Sequence, residues 1–212
     1  MDGNKRWSVK KNKTLEFSYD FGAKKLFNLT KYIFDNYKCE YVSAFALSRD
    51  NLKRSKKTID IIIKIFEKYI DEQILNLSNN EFNLRIIGNF SFLSLKIKRK
   101  IEIINLHNKK NKKNLIIFFN YSGADDINLA SKKVSFKKSK NQNLTNFLMT
   151  KSIPDPDILI RSGGFQRLSD FLIYQTRYTE FFFLKKLWPD LKTLDIKKCI
   201  NSFSKIKRKY GI

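Results

Sequence analysis

Two rhythms of apolar residues alternate along the chain. Short runs rich in Val, Ile and Phe, at about 41 to 47, 83 to 88, 114 to 119, 157 to 161 and 180 to 184, read as strands. Longer stretches of helical period lie around them, at about 21 to 37, 56 to 76, 92 to 107, 124 to 136, 141 to 150, 169 to 178 and 195 to 208. This order predicts crossover units feeding a mostly parallel central sheet flanked by helices, an α/β fold. No internal repeat is evident, and the lysine-rich stretch 132–143 reads as a surface loop or frayed helix rather than a linker. Residues 1–212 are therefore expected to form one domain. In open α/β sheets, ligands gather beyond the carboxyl ends of strands, where loops and helix N-termini present donors.

Composition narrows the possibilities. A chain of 212 residues with 42% hydrophobic content holds enough apolar matter for one continuous core. Its longest apolar runs, residues 59–66, 115–119 and 181–184, fall far short of a bilayer span. The opening Met1-Asp2-Gly3-Asn4-Lys5-Arg6-Trp7 is polar where a signal peptide has its apolar core, so a cytoplasmic location is expected. Cys39 and Cys199 are far apart and His107 is the sole histidine, which argues against a disulfide scaffold or a zinc site and for reduced, buried thiols. The balance of 43 basic to 20 acidic residues, net +23, raises nucleic-acid binding as a reading. Lysine is spread over nearly every segment together with Asn, Ile and Phe, as an AT-biased genome writes it. No recognition module or patterned aromatic platform accompanies the charge, and the expectation is a solvated surface without a nucleic-acid partner. Such a field still attracts diphosphates and the anionic surface of a membrane.

Three clusters carry candidate chemistry. The most specific runs from Pro154 to Phe171. Ile158 to Ile160 form a buried strand, Arg161 emerges at its carboxyl end, and Ser162-Gly163-Gly164 allows a tight turn whose bare backbone approaches an anion. Arg167 follows, then Ser169, placed to cap a helix from Asp170. Two guanidiniums, a hydroxyl and a helix N-terminus suit a multiply charged diphosphate. The second cluster, Asp2 to Trp7, offers a carboxylate, a flexible turn, an amide and a cationic pair. The third, Phe45-Ala46-Leu47-Ser48-Arg49-Asp50-Asn51-Leu52-Lys53-Arg54, closes a strand.

In this order the clusters resemble the signature segments of the cis-prenyltransferases of the undecaprenyl diphosphate synthase type. Asp2 to Trp7 matches Asp-Gly-Asn-x-Arg-Trp, and Phe45 to Arg54 matches aromatic-Ala-Phe-Ser-x-x-Asn-Trp-x-Arg, with Leu47 and Leu52 replacing aromatics. Asp157 to Phe171 matches the Arg-Thr-Gly-Gly-Glu segment, followed by Tyr178-Thr179-Glu180-Phe181-Phe182-Phe183 and Leu187-Trp188-Pro189-Asp190. Weaker matches are Arg85-Ile86-Ile87-Gly88-Asn89 and Asn120-Tyr121-Ser122-Gly123.

The resemblance implies condensation of isopentenyl diphosphate onto an allylic diphosphate, expected to be farnesyl diphosphate, to give a polyprenyl diphosphate lipid carrier for the cell wall. It further implies Mg²⁺ held by Asp2 and Glu180. Asn4 and Arg6 would meet the allylic diphosphate with Arg54 nearby, and Gly3, Lys5, Trp7 and Tyr19 would be further substrate contacts. Arg161, Arg167 and Ser169 would hold isopentenyl diphosphate, Ser48 and Asn51 would orient reacting groups beside Asp2, and a homodimer is expected. A hydrophobic tunnel would be walled by the sheet and the helix from Lys56.

Departures from the pattern are specific. Tyr19 stands where the family has His. Leu15 stands where an arginine often meets the allylic diphosphate, a loss of roughly 1.5 to 3 kcal/mol unless Lys11 or Lys13 substitutes. Phe165 replaces an acidic residue, and Lys209-Tyr210-Gly211 an Arg-x-Gly that reaches the partner's site. Phe118 and Phe119 replace small residues, and because strand side chains alternate, one of them is expected in the tunnel, shortening the product. The family places a hydrophobic strand before the Asp-Gly-Asn turn, so a truncated first strand is expected: either Met1 is an internal methionine taken as the start, or the short form is real and Asp2 sits on a frayed end. The competing readings are a non-catalytic subunit of a prenyltransferase complex and a basic nucleic-acid-binding protein.

Overall fold

The computed structural model describes residues 1–77, 81–107, 111–136 and 143–209. Helices α1 (Asn4–Lys10) and α2 (Leu15–Asn36) precede strand β1 (Tyr41–Ser48). Then come α3 (Lys56–Leu75), β2 (Asn83–Ile87), α4 (Leu95–Leu106), β3 (Asn114–Tyr121) and α5 (Gly123–Phe136). The chain closes with β4 (Ile158–Arg161), β5 (Glu180–Phe183) and α6 (Thr193–Phe203). Single 3₁₀ turns occupy Arg49–Lys53, Leu144–Phe147 and Trp188–Asp190. Local chemistry sets several starts: the Thr14 and Ser94 hydroxyls accept from Phe17 N and Ile97 N at the heads of α2 and α4.

The strands form two sheets, β1-β3-β2 and β4-β5, and every pairing is parallel. The central strand β3 is buried on both faces, as parallel strands under helices are. Leu115, Ile117 and Phe119 point into the larger core with Ile62, Phe66 and Ile70 of α3 and Ile97, Ile101 and Ile104 of α4. Ile116, Phe118 and Tyr121 face a smaller cluster with Leu172, Phe45 and Phe171. Among the described residues β1 and β4 are each paired on one side only, and residues 41–46 together with Ile158–Arg161 line one cavity of about 1130 Å³.

Two predicted helices are not formed. Residues 169–178 make turns, because Ser169, Asp170 and Leu172 adopt positive φ (53°, 64° and 47°), which an α-helix does not allow. Asp170 instead serves the next layer: its backbone and side-chain oxygens accept from Gly123 N and Ala124 N at the head of α5. The 141–150 helix reduces, within the described residues, to the turn Leu144–Phe147. Residues 137–142 of the lysine-rich stretch, like Tyr210 and Gly211, lie outside the described residues. Helix α1 was not foreseen.

Tension also exists away from the ligand cavity. Asp126 is 1% exposed; its two oxygens accept from the Tyr121 hydroxyl (3.0 Å) and Met149 N (2.8 Å). Burial pushes its carboxyl above the ordinary carboxylate value, opposed by these bonds. Removing it in Asp126→Ala strands two buried donors and should lower unfolding free energy by about 2–4 kcal/mol in a urea titration. A raised folded value means that the stabilisation from protonated Asp126 is complete below the ordinary carboxylate range and lost as pH rises through the folded value. The stability of wild type relative to Asp126→Asn should therefore fall with rising pH across that window.

Candidate active site

The site is assembled around the main chain of Asp2. Asp2 N donates to Ser162 Oγ (3.0 Å), Ser162 Oγ donates back to Asp2 O (3.1 Å), and Trp188 N donates to the same carbonyl (2.9 Å). Asp2 is thus clamped between the loop after β4 and the turn Trp188–Asp190, which corrects the expectation of a frayed end. Helix α1 is held by the same turn: Trp7 Nε1 donates to Asp190 Oδ1 (2.8 Å), and Trp188 Nε1 donates to Gly22 O (2.9 Å). A Cβ on Gly22 would lie 2.6 Å from Asn4 Oδ1 and 3.1 Å from Trp188 Cδ1, so only glycine lets α2 approach.

With its backbone occupied, Asp2 projects its carboxylate among guanidiniums. Arg161 Nη2 donates to Oδ2 at 3.2 Å and Arg6 Nη2 to Oδ1 at 3.4 Å. Arg161 Nη1 also donates to Ser169 Oγ (2.9 Å) and to Arg167 O. Both contacts to Asp2 are longer than a strong charge-assisted bond, which leaves the arginines able to turn toward a more highly charged anion.

The glycine bend works differently from the sequence expectation. Gly163 N donates to Lys186 O (2.7 Å) and Gly164 N to Leu184 O (3.0 Å), so neither amide is left for an anion. What Gly163 provides is room: at φ +93°, a Cβ there would meet Arg6 Nη2 at 2.7 Å and Asp2 Cβ at 3.1 Å. Anion recognition falls to side chains.

Most residues expected at the site do share one cavity wall: Asp2, Gly3, Asn4, Lys5, Arg6, Tyr19, Ser48, Asn51, Arg54, Arg161, Arg167 and Ser169. Arg54 Nη1 donates to the Tyr19 hydroxyl (2.9 Å), whose ionisation is pushed up chiefly by burial. Ser48 Oγ accepts from Asn51 N (3.2 Å), fixing the turn that presents both residues at the carboxyl end of β1. Asn4 lines the cavity, but its side-chain oxygen is buried against Gly22 of α2 without a hydrogen-bond partner among the described residues.

Two expected residues are placed elsewhere. Trp7 is buried against Phe21 (5.5 Å between ring centroids) and Phe17, away from the cavity, and its role is to pin α1. Glu180 is absent from the wall: it opens β5 opposite Ile158, three residues or about 10 Å along the strands from the Arg161–Phe183 pair.

Part of the space between the sheet and α3 is occupied by aromatic rings. Phe119 stacks on Phe66 at 3.7 Å with Phe92 beyond at 6.3 Å, and Thr58 is the only residue of α3 on the cavity wall. Phe118 is the member of the pair that reaches the wall, where it meets Phe171 edge-on at 5.1 Å. Ser162 entered the sequence reading only as part of the glycine turn and Phe165 only as a departure from the family pattern, neither with a site role of its own. Ser162 sits between Arg161 and the glycines and carries no signal beyond its position.

Among the described residues no three His, Cys, Asp or Glu side chains converge as a metal cage. That suits Mg²⁺, which keeps several waters and is bound through one or two carboxylates plus substrate phosphates. The single part-exposed carboxylate of Asp2, beside the arginines, fits such a donor set.

Comparison with known proteins agrees with this geometry. Residues 1–211 match the family described as "Putative undecaprenyl diphosphate synthase". The isoprenyl transferase of Rickettsia sibirica is 35% identical over 215 residues, covering 100% of this chain and 95% of its own. That of Thermotoga maritima is 33% identical over 219 residues, with coverages of 100% and 94%. Among solved structures, lavandulyl diphosphate synthase from Lavandula x intermedia, in complex with dimethylallyl diphosphate, superposes with a TM-score of 0.91 at 26% identity, covering 100% of this chain and 95% of that one. A probable undecaprenyl diphosphate synthase from Campylobacter jejuni gives 0.81 at 30% identity, covering 91% and 92%. An arginine-ringed carboxylate at the strand ends, set in a chain alike from end to end, places this protein in the undecaprenyl diphosphate synthase family, as a cis-prenyltransferase.

Proposed function

We propose that the enzyme condenses isopentenyl diphosphate onto farnesyl diphosphate and stops at a polyprenyl diphosphate shorter than the usual bacterial lipid carrier. The observation that carries the diphosphate reading is the Asp2 carboxylate shared by Arg161 and Arg6 on a wall that also presents Arg167 and Ser169. When the allylic C1–O bond breaks, diphosphate leaves with the electron pair. The isopentenyl double bond then forms the new C–C bond, and a proton is lost from the adjacent carbon. Arg6 and Asn4 are assigned to the leaving diphosphate with Arg54 nearby, and Arg161, Arg167 and Ser169 to that of isopentenyl diphosphate. Guanidiniums already gathered on one wall stabilise the leaving charge with only side-chain rotation away from Asp2. Asp2 would hold Mg²⁺, which when bound withdraws further charge from the departing diphosphate.

Three further parts of this reading rest on separate observations. The Phe66–Phe119 stack occupies space beside α3 that a longer chain would need, which supports a short product. The outer edge of β5 is unpaired among the described residues, and Ile173, Tyr178 and Phe181 are exposed, which supports a homodimer through this face. No described helix is long and apolar enough to cross a membrane, and the net charge of +23 supports a cytoplasmic enzyme that docks on anionic lipid.

Incubated with farnesyl diphosphate, labelled isopentenyl diphosphate and Mg²⁺, the wild type should form butanol-extractable label. Asp2→Ala should lower kcat/KM by roughly 10²–10³-fold or more. Absence of wild-type label refutes the reading. Phe119→Leu opens the stack at less cost to the core than Phe119→Ala, which would lose about 3–5 kcal/mol. Its products should run longer than wild type on thin-layer chromatography, and an unchanged distribution removes Phe119 as the length limit. Analytical ultracentrifugation should show a dimer, and vesicles containing phosphatidylserine should carry it in a salt-dependent manner. A monomer, or salt-insensitive partition, contradicts the respective part.

A further inference from the structure

Phe165 stands in the middle of the cationic cluster, and neither the ligand assignments nor the anchoring of Asp2 uses it. The guanidinium carbons of Arg167, Arg6 and Arg161 lie 4.3, 4.9 and 5.9 Å from the centroid of its ring. These three cations come from two separate stretches of sequence. Among the described residues a single carboxylate, Asp2, pairs with any of them, through Arg161 and Arg6; Arg167 has no carboxylate partner. Three positive charges in so small a volume repel one another and, left alone, spread into solvent. The negative face of an aromatic ring attracts each within about 6 Å without cancelling any. A carboxylate in this place would gather them equally well, but at the loss of one unit of positive charge that a diphosphate needs. The ring is 40% exposed, so the attraction is not spent in a closed core and one side of the cluster stays open to a ligand. The adjoining glycine amides are both engaged elsewhere, which leaves these side chains as the anion-binding surface.

We infer that Phe165 is a positioning residue: its ring gathers Arg6, Arg161 and Arg167 into one cationic cluster between the positions of the two diphosphates, while cancelling none of their charges. This rests on the diphosphate reading above and specifies what holds that site in shape before substrate arrives. A side chain of similar bulk without a ring, as in Phe165→Leu, keeps the packing and loses the attraction. A phenol, as in Phe165→Tyr, keeps both.

The test is titration calorimetry of the full chain with inorganic pyrophosphate. Phe165→Leu should weaken binding about five- to tenfold, and Phe165→Tyr should stay within about twofold of wild type. In steady-state assays the KM values for isopentenyl diphosphate and for the allylic diphosphate should both rise for Phe165→Leu, while Phe165→Tyr keeps both near wild type, a rescue that a general loss of structure does not produce. Both variants should melt with the wild type, since the ring is part-exposed. Equal pyrophosphate affinity in wild type and Phe165→Leu overturns the inference, and so do equal losses in the Leu and Tyr variants. A wild type that does not bind pyrophosphate at all overturns instead the diphosphate site on which the inference stands.

Discussion

Everything at the site depends on how Asp2 is held: by its peptide groups rather than by its charge. Ser162 Oγ reads both the N–H and the C=O of Asp2, and Trp188 N adds a second bond to the carbonyl. Had the carboxylate supplied the anchor, binding a metal or meeting a substrate would have unfastened the loop. Because the main chain supplies it, the acid group is left to its two arginines at 3.2 and 3.4 Å, and these can be redirected without loosening the backbone. Reorganisation is thereby confined to the side chains, and the backbone that carries them stays fixed.

The same economy of position explains the roles of the segment Leu187-Trp188-Pro189-Asp190. None of its side-chain polar groups meets the charged cluster. Trp188 bonds to Gly22 O, Asp190 receives Trp7 Nε1, and Leu187 lies where a Cβ on Gly3 would strike its Cδ2 at 2.8 Å. The segment is a bracket fitted to two glycines. Its conspicuous indole is structural, as is that of Trp7.

The strands were readable because each is a short apolar run between polar turns, and all five occur within two residues of their predicted limits. The clusters flanking them were readable because arginines, an acid and glycines in a fixed order have few other uses. What failed did so for tertiary reasons. Between Ser169 and Tyr178 the apolar spacing is helical, yet Asp170 is bound to the head of α5 and three positive-φ residues follow from that attachment. Helix α1 escaped notice because it buries only Trp7 and Ser8, too few to make a periodic signal. The expectation of amide donors at Gly163 and Gly164 failed because the loop after β5 takes them, a pairing invisible without the parallel alignment of β4 and β5. Glu180 is near Arg161 in the motif order but lies at the other end of its strand.

The clamp on Asp2 joins positions 160 and 186 residues apart, and closing so large a loop is repaid only after the contacts at both ends exist. As the chain leaves the ribosome, β1 to β3 and helices α2 to α4 are complete long before Ser162 and Trp188 have been added. The nascent chain therefore has its first three strands and their helices before it has the partners of Asp2, and the Asp2 turn is set together with the last core residues, Trp188, Leu191 and Ile196.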